Sequence, residues 1–314
     1  MTTMQAVQQV GFGSAAVLAL ATVPRPQPGP GELLVRVRAA GVNPVDWKIR
    51  EGYLRDFFDF RPPFIPGFDL SGIVEGVGPG VTAFEPGEEV FAFLPLARPG
   101  ALAEYAVVKV EEAAAKPQTL THTEAAGVPL AALTAWQALF DIASLGRGQS
   151  VLIHAAAGGV GHFATQLANW AGAHVIGTAS AGNLDFLRQH GVHQGVDYTA
   201  GPFEEQVPAV DVVLDTLSGD TRERSWRLVK PHGILVSTLP PPPVVPAGAA
   251  AGVRGMHMLV RPSGAQLGRL ADLIDSRVVR PEVTVLPFVQ IHQAQALSQS
   301  GHTRGKIVLA IGEP

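Results

Sequence analysis

Between Ser150 and Gly161 an apolar run, Val151-Leu152-Ile153, passes through His154 into Ala155-Ala156-Ala157-Gly158-Gly159-Val160-Gly161, and then into Phe163, Ala164, Leu167, Ala168 and Ala171 at helical spacing. A strand that enters a glycine turn and then a helix brings backbone N–H groups and a helix N-terminus against a phosphate, with glycines where a side chain would block the approach. The fingerprint for a dinucleotide is G-x-G-x-x-G. Here Ala156 stands at its first position, followed by Gly158 and Gly161, so the motif depends on context. A second apolar strand, His174-Val175-Ile176-Gly177, follows after a helix-length gap and completes the β-α-β unit. The competing reading is a glycine-rich helix cap with no ligand. Gly158 and Gly161 are the glycines at which the main chain is expected to approach a nicotinamide dinucleotide.

The end of that second strand decides which dinucleotide is expected, because a carboxylate there holds the ribose 2′-OH of NAD and repels a 2′-phosphate. Residues 178–183 read Thr-Ala-Ser-Ala-Gly-Asn, and no acid occurs before Asp185, which favours NADPH. No lysine or arginine lies in that stretch either. The phosphate would need hydroxyls, Asn183, or a cation from elsewhere.

With 314 residues, 46% of them apolar, the chain can bury the cores of two ordinary domains. A net charge of −4 argues against nucleic acid or an anionic membrane as a general partner. The long uncharged stretches 148–184 and 231–253 are interrupted by glycine, proline, histidine or amide residues, unlike a lipid-spanning helix. Met1-Thr2-Thr3-Met4-Gln5 has no basic region before an apolar core, so a cytoplasmic location is the expectation. The chain has no cysteine. This excludes disulfides, a Cys₂His catalytic zinc set and a Cys₄ structural zinc site, and its ten histidines show no H-E-x-x-H spacing.

The chain divides into three parts. From Gln5 to about Lys116 the segments are short and β-like, as in Glu32-Leu33-Leu34-Val35-Arg36-Val37-Arg38, separated by Pro and Gly clusters. From about Thr123 to Asp275 apolar strands such as Val210–Asp215 and Gly233–Ser237 alternate with helix-length segments, which implies a parallel sheet covered on both faces. The tail from about Ser276 predicts a strand at 283–286, a helix near 292–300 and a final strand at 306–311. The expected domains are therefore 1–122, 123–275 and a return of 276–314 to the first.

Several stretches in sequence order carry a family resemblance across nearly the whole chain: Ala39-Ala40-Gly41-Val42-Asn43-Pro44-Val45-Asp46-Trp47-Lys48, Pro66-Gly67-Phe68-Asp69-Leu70-Ser71-Gly72, Ala103-Glu104-Tyr105, residues 155–161, and Gly301-His302-Thr303-Arg304-Gly305-Lys306-Ile307-Val308-Leu309. The sequence resembles the zinc-independent medium-chain dehydrogenase/reductases, within them the NADPH:quinone oxidoreductase branch that includes zeta-crystallin. The resemblance implies an α/β fold in which a Rossmann doubly wound parallel sheet is inserted into a GroES-like, mostly antiparallel β catalytic domain, with the active site in the cleft where the two meet. It carries over as cofactor contacts Asn43, Ala157, Gly159, Val160, Thr178, Ser180, Tyr198, Ser218 with Gly219, the loop Ser237-Thr238-Leu239, and Arg304 with Lys306, the last two as a source of the missing positive charge. Gly182 departs from the arginine often found in relatives, and Gly100-Ala101-Leu102 departs from the usual glycine pair before Ala-Glu-Tyr.

The implied chemistry is hydride transfer from NADPH to a quinone or an α,β-unsaturated carbonyl, with the cofactor carrying the difficult step. Tyr53, in the loop after the Asn43 motif, is the candidate hydroxyl donor; alternatively it packs on Phe57 and Phe58 as a pocket wall. The Phe57-Phe58-Asp59-Phe60 run is either a core edge or an apolar rim for a bulky planar substrate. His154 is expected to be a buried histidine hydrogen-bonded to backbone rather than a general base, Asp46 and Asp69 to fix loops, and Trp136, Trp170 and Trp226 to pack in the core or between helices. Pro240–Pro243 is a stiff loop after a strand of the parallel sheet. The resemblance also implies a homodimer, since residues 256–260 match the sheet edge along which such proteins pair. The alternative function is a cofactor fold with a structural or binding role, or a biosynthetic enzyme acting on a bulky natural product.

Overall fold

The structure, a computed structural model, describes residues 2–312. The first stretch of chain contributes β1 (Thr3–Gln9), β2 (Leu18–Pro24), β3 (Glu32–Val42), α1 (Pro44–Arg50), β4 (Asp69–Val77), β5 (Glu89–Phe93), β6 (Tyr105–Lys109), β7 (Ala113–Ala115), α2 (His122–Ala126) and α3 (Pro129–Trp136). Next come β8 (Ser150–Ile153), α4 (Gly161–Trp170), β9 (His174–Ala179), α5 (Leu184–Gln189), β10 (Gln194–Asp197), β11 (Val210–Asp215), α6 (Gly219–Ser225), β12 (Val229–Ser237) and β13 (Arg254–His257). The chain ends with α7 (Gly264–Asp275), β14 (Val283–Pro287), α8 (Ile291–Gln299) and β15 (Lys306–Ala310).

These elements form two compact units, one of residues 2–133 with 261–312 and one of residues 134–260. In the first, β14, β15, β3, β4, β5 and β7 lie side by side with β6 also on β3, and β1 pairs with β2 separately. All these pairings are antiparallel except β14 with β15. The alternation read in β3 is real: Leu33, Val35 and Val37 are buried while Arg36 and Arg38 are partly exposed.

The second unit is a sheet of order β10-β9-β8-β11-β12-β13 in which every pair is parallel. Leu152, Ile176, Val213 and Leu235 share one buried row across it, which explains why these strands read as apolar runs. Chain order reverses at β8, so the turn after β8 lies at the switch point where doubly wound sheets bind ligands.

The second unit is shorter than the 123–275 span expected from the sequence. α2 packs on β3, β4 and β15, and α7 on β7. Both ends of α7 are tied to the first unit: a Cβ on Gly264 would stand 2.2 Å from the Ala113 carbonyl oxygen, and Asp275 accepts the Gln118 and Thr119 N–H groups at 3.1 and 2.9 Å. A helix's apolar face does not say which sheet it covers.

Candidate functional site

The main chain leaves β8 at His154 and turns through residues 155–160 before α4 begins. Ala155 takes a left-handed conformation (φ 48°), and the Ala156 N–H donates to the Thr178 carbonyl at 2.9 Å, which fixes the turn to β9. The N–H groups of Ala157, Gly159 and Val160 find no acceptor among the described residues. Buried or half-buried amides are normally paired, so this group next to a helix N-terminus is a place for an anion. Gly161 makes the packing possible, since a Cβ there would lie 2.3 Å from the Ala155 carbonyl oxygen and 2.7 Å from the Ala156 Cα.

Beyond the turn, Thr178 ends its side chain on His154. The imidazole Nε2 lies 2.8 Å from Ser225 Oγ, and that hydroxyl donates to the Thr221 carbonyl at 2.7 Å. Nε2 therefore carries the ring proton, and Nδ1 accepts from Thr178 Oγ1 at 3.1 Å. Burial holds the His154 ring down at about 4, so it stays neutral. The expectation of a core histidine agrees with this, except that its partners are hydroxyls.

At the tip of β9, Asn183 Nδ2 donates to Ser180 Oγ at 3.0 Å and Gly182 faces open space. Tyr198, half-exposed, follows β10, its N–H on the Ala179 carbonyl at 3.2 Å. Sequence reading missed one acid here. Asp197 ends β10 opposite Ala179, and its carboxylate accepts the N–H and hydroxyl of Thr199 at 2.9 and 2.7 Å. These bonds and the Ala181 N–H hold it below the usual carboxylate range. The strand tip thus combines hydroxyl and amide donors with a neighbouring carboxylate.

The other predicted loops converge on buried Asp215 at the end of β11. Oδ1 accepts the Leu217 and Ser218 N–H groups, both at 2.9 Å, and Oδ2 accepts Ser237 Oγ at 2.7 Å. Ser218 and Gly219 are both left-handed, with φ of 63° and 57°. Thr238 donates its N–H to the Asp215 carbonyl at 3.0 Å, and Leu239 its N–H to Ser237 Oγ at 3.4 Å. The proline loop that follows is held by Arg222, whose Nη1 donates to the Pro241 carbonyl at 2.6 Å. Parallel strands put all these loops at one end of the sheet.

In the first unit Asn43 is buried in a four-residue cluster. Its Nδ2 donates to Asp69 Oδ2 at 2.9 Å, its Oδ1 accepts from Lys306 Nζ, and its main-chain N–H donates to Asp46 Oδ2 at 2.6 Å. Lys306 Nζ also stands 3.4 Å from Asp69 Oδ2. Gly41 makes room for this, because a Cβ there would sit 2.9 Å from the Asp69 Cβ and 2.5 Å from the Ala126 carbonyl oxygen. The charge of Lys306 is balanced by Asp69 inside this unit. Arg304, by contrast, is exposed.

Tyr53 is 63% exposed and packs edge-on against Trp47 at 6.0 Å, whereas the alternative reading set it against Phe57 and Phe58. The neighbouring Glu51 carboxylate raises its hydroxyl above the ordinary phenol value. Phe60 stacks on Phe64 at 5.4 Å and meets Phe58 at a tilt at 5.8 Å, while Phe57 is exposed. Trp136 and Trp170 pack together with Phe140, and Trp226 lies in the core.

Among the described residues no three His, Cys, Asp or Glu side chains gather as a metal ligand set. The buried acid Asp69 faces the Lys306 ammonium, and Asp46 meets the Asn43 N–H.

A parallel sheet with this strand order and a glycine turn at its switch point define a Rossmann-type, NAD-binding class of fold. The chain matches the alcohol dehydrogenase GroES-like domain over residues 29–118 and the zinc-binding dehydrogenase family over residues 190–309. It is 36% identical to the mitochondrial NAD(P)H oxidoreductase RTN4IP1 of Danio rerio, covering 90% of this chain and 84% of that one. It is 32% identical to the chloroplastic quinone-oxidoreductase QR1 of Triphysaria versicolor, covering 98% of each. Among solved structures, the quinone oxidoreductase from Coxiella burnetii superposes with a TM-score of 0.89 at 32% identity, over 99% of this chain and 100% of that one. A mycobacterial protein solved in complex with NADPH gives 0.86 at 30%, over 98% and 100%. The chain belongs to the quinone-oxidoreductase-like medium-chain dehydrogenase/reductases and is an NAD(P)H-type oxidoreductase.

The comparisons also correct one expectation. These relatives carry mitochondrial and chloroplastic names, which overturns the cytoplasmic assignment. No helix among the described residues is long and apolar enough to cross a membrane.

Proposed function

We propose that this protein uses NADPH to reduce a small planar acceptor, a quinone or an α,β-unsaturated carbonyl, without zinc. The observation that carries the proposal is the turn at Gly161: unpaired amides of Ala157, Gly159 and Val160 suit a diphosphate, and the tip of β9 holds no acid. When bound, the dihydronicotinamide supplies the hydride. The chain's part is to bind and orient it. Ala157, Gly158, Gly159, Val160 and Gly161 would take the diphosphate. Thr178, Ser180, Asn183 and Tyr198 would take the ribose end with its 2′-phosphate. Ser218, Gly219, Ser237, Thr238 and Leu239 would line the middle of the cofactor, and Asn43, Arg304 and Lys306 would complete the set. Tyr53 would donate its hydroxyl to the oxygen that gains charge as the acceptor is reduced.

The test is NADPH consumption with a benzoquinone, a naphthoquinone and a linear enone, with nucleotide binding followed by fluorescence. Turnover on any of them supports the proposal; tight binding with none turned over removes the redox role. The acceptor class is supported by the quinone oxidoreductase names of the relatives. We further propose a homodimer, because β13 is a terminal strand of its sheet and exposes Met256 at 46%, with Leu259 beyond it at 54%. A monomeric mass by light scattering would refute it.

A further inference from the structure

Asp46, Asp69 and Lys306 are all buried, so the cluster around Asn43 brings two carboxylates and one ammonium out of water. Left fully ionised it would keep an unbalanced negative charge inside the protein, a costly arrangement that proteins relieve by taking up a proton. The hydrogen bonds say where the proton goes. Asp69 is well supplied with donors: Oδ2 meets Asn43 Nδ2 and Lys306 Nζ, and Oδ1 accepts the Leu130 N–H at 2.7 Å. Asp46 has one, the Asn43 N–H on Oδ2, while its Oδ1 is buried with no partner. An ionised carboxylate is favoured by donors and disfavoured without them.

We infer that Asp46 is a positioning residue that carries a proton on Oδ1, and that losing this proton would pull the Asn43 side-chain amide away from its Asp69 and Lys306 partners. An ionised Asp46 would compete with Asp69 for the one ammonium that also holds Asn43 Oδ1. Burial pushes the Asp46 carboxyl up to about 7, the Asn43 N–H opposing and the Asp69 charge reinforcing it; burial raises Asp69 as well, but there Lys306, Asn43 and the Leu130 N–H all act against it, so the proton is assigned to Asp46. Charged groups on the neighbouring elements are few. β4 presents Asp69 and β15 Lys306. On α1 itself Lys48 lies over the Trp47 ring, and Arg50 is bonded to Gly13, Glu51, Gln295 and Gln299. α8, which packs on α1, has no Asp, Glu, Lys or Arg, and its His292 bonds the Leu18 carbonyl at 3.0 Å.

Two measurements on the free protein test this directly. The ¹³C resonance of the Asp46 carboxyl in aspartate-labelled wild-type chain should titrate near neutrality, with an infrared carboxylic C=O band that fades over the same range and is missing in Asp46→Asn. The side-chain amide resonances of Asn43 should move with the same midpoint in the wild type and stay fixed in Asp46→Asn. A carboxyl that titrates in the ordinary acid range, or an Asn43 amide indifferent to pH near neutrality, overturns the inference; the wild-type titrations decide it even if the variant does not fold. A third measurement rests on the proposed role of Asn43 as a cofactor contact: NADPH affinity should fall by about tenfold per pH unit above the midpoint. Absence of NADPH binding at every pH counts against that role, and the two titrations still decide the state of Asp46.

Discussion

The Cβ that Gly161 lacks would stand 2.3 Å from the carbonyl oxygen of Ala155, closer than any non-bonded carbon can approach. The contact is with main chain on the opposite side of the turn, so it cannot be relieved by a side-chain rotation. Gly161→Ala should push the turn away from α4 and cost about 1 to 3 kcal/mol of stability, the usual range for overpacking. It should also lower NADPH affinity by at least roughly tenfold, because the displaced amides no longer point at one anion. Wild-type melting temperature and affinity in the variant would show that the turn tolerates the methyl group and does not grip a phosphate.

Gly182 meets nothing within 4 Å of an added Cβ, so a long side chain fits there without repacking. Asp197 ends the adjacent strand and residues 178–183 hold no cation, so that stretch offers a 2′-phosphate neutral donors alone. Gly182→Arg should raise the preference for NADPH over NADH by roughly tenfold, the size of one charge-assisted hydrogen bond at a partly exposed site. Titration of both nucleotides into both proteins measures the ratio. An unchanged ratio would place the 2′-phosphate away from the β9 tip.

The exposure of Tyr53 leaves its hydroxyl open to a substrate. Tyr53→Phe should leave the melting temperature nearly unchanged, since the ring keeps its edge contact with Trp47. The kcat/KM for an enone should fall by roughly a hundredfold, the lower end of what a positioned proton donor contributes. A quinone, which needs less help, should lose less. Equal kcat/KM for both proteins across several enones would assign Tyr53 to the pocket wall.

The strand, turn and helix from Ser150 to Trp170 were legible because every signal in them is local: the apolar run, the glycines, the helical spacing. So were the tail elements 283–287, 291–299 and 306–310. What the sequence did not disclose depends on pairing between distant segments. Asp197 meets the β9 tip because β10 adds in parallel beside β9, and nothing near Asp197 announces that. Asp46 and Asp69 read as loop-fixing acids; their burial beside Lys306, more than two hundred residues away, appears only when β15 pairs with β3. α7 looked like part of the dinucleotide half, yet its cap at Ser263 and its end at Asp275 belong to the first unit.

Asp46 and His154 pull stability in opposite directions along the pH axis. In the unfolded chain Asp46 releases its proton near pH 4, whereas the folded chain keeps it to about 7. Between these values the folded state binds the extra proton, so stability falls as pH rises. His154 is the reverse. Unfolded, it protonates near 6.5; folded, it resists until about 4, so its contribution is full above 6.5 and is lost as pH falls. Over the shared window, from about pH 4 to 6.5, each group contributes a slope of one proton and the two oppose each other. The wild type should therefore show little net dependence from this pair. Asp46→Asn removes the falling limb and leaves the rising one, so its melting temperature should climb with pH across that window, and its advantage over the wild type should be greatest near pH 7. Thermal unfolding of both proteins at half-unit intervals measures this; parallel melting curves across the window would mean that the folded and unfolded chains hold the Asp46 proton equally well.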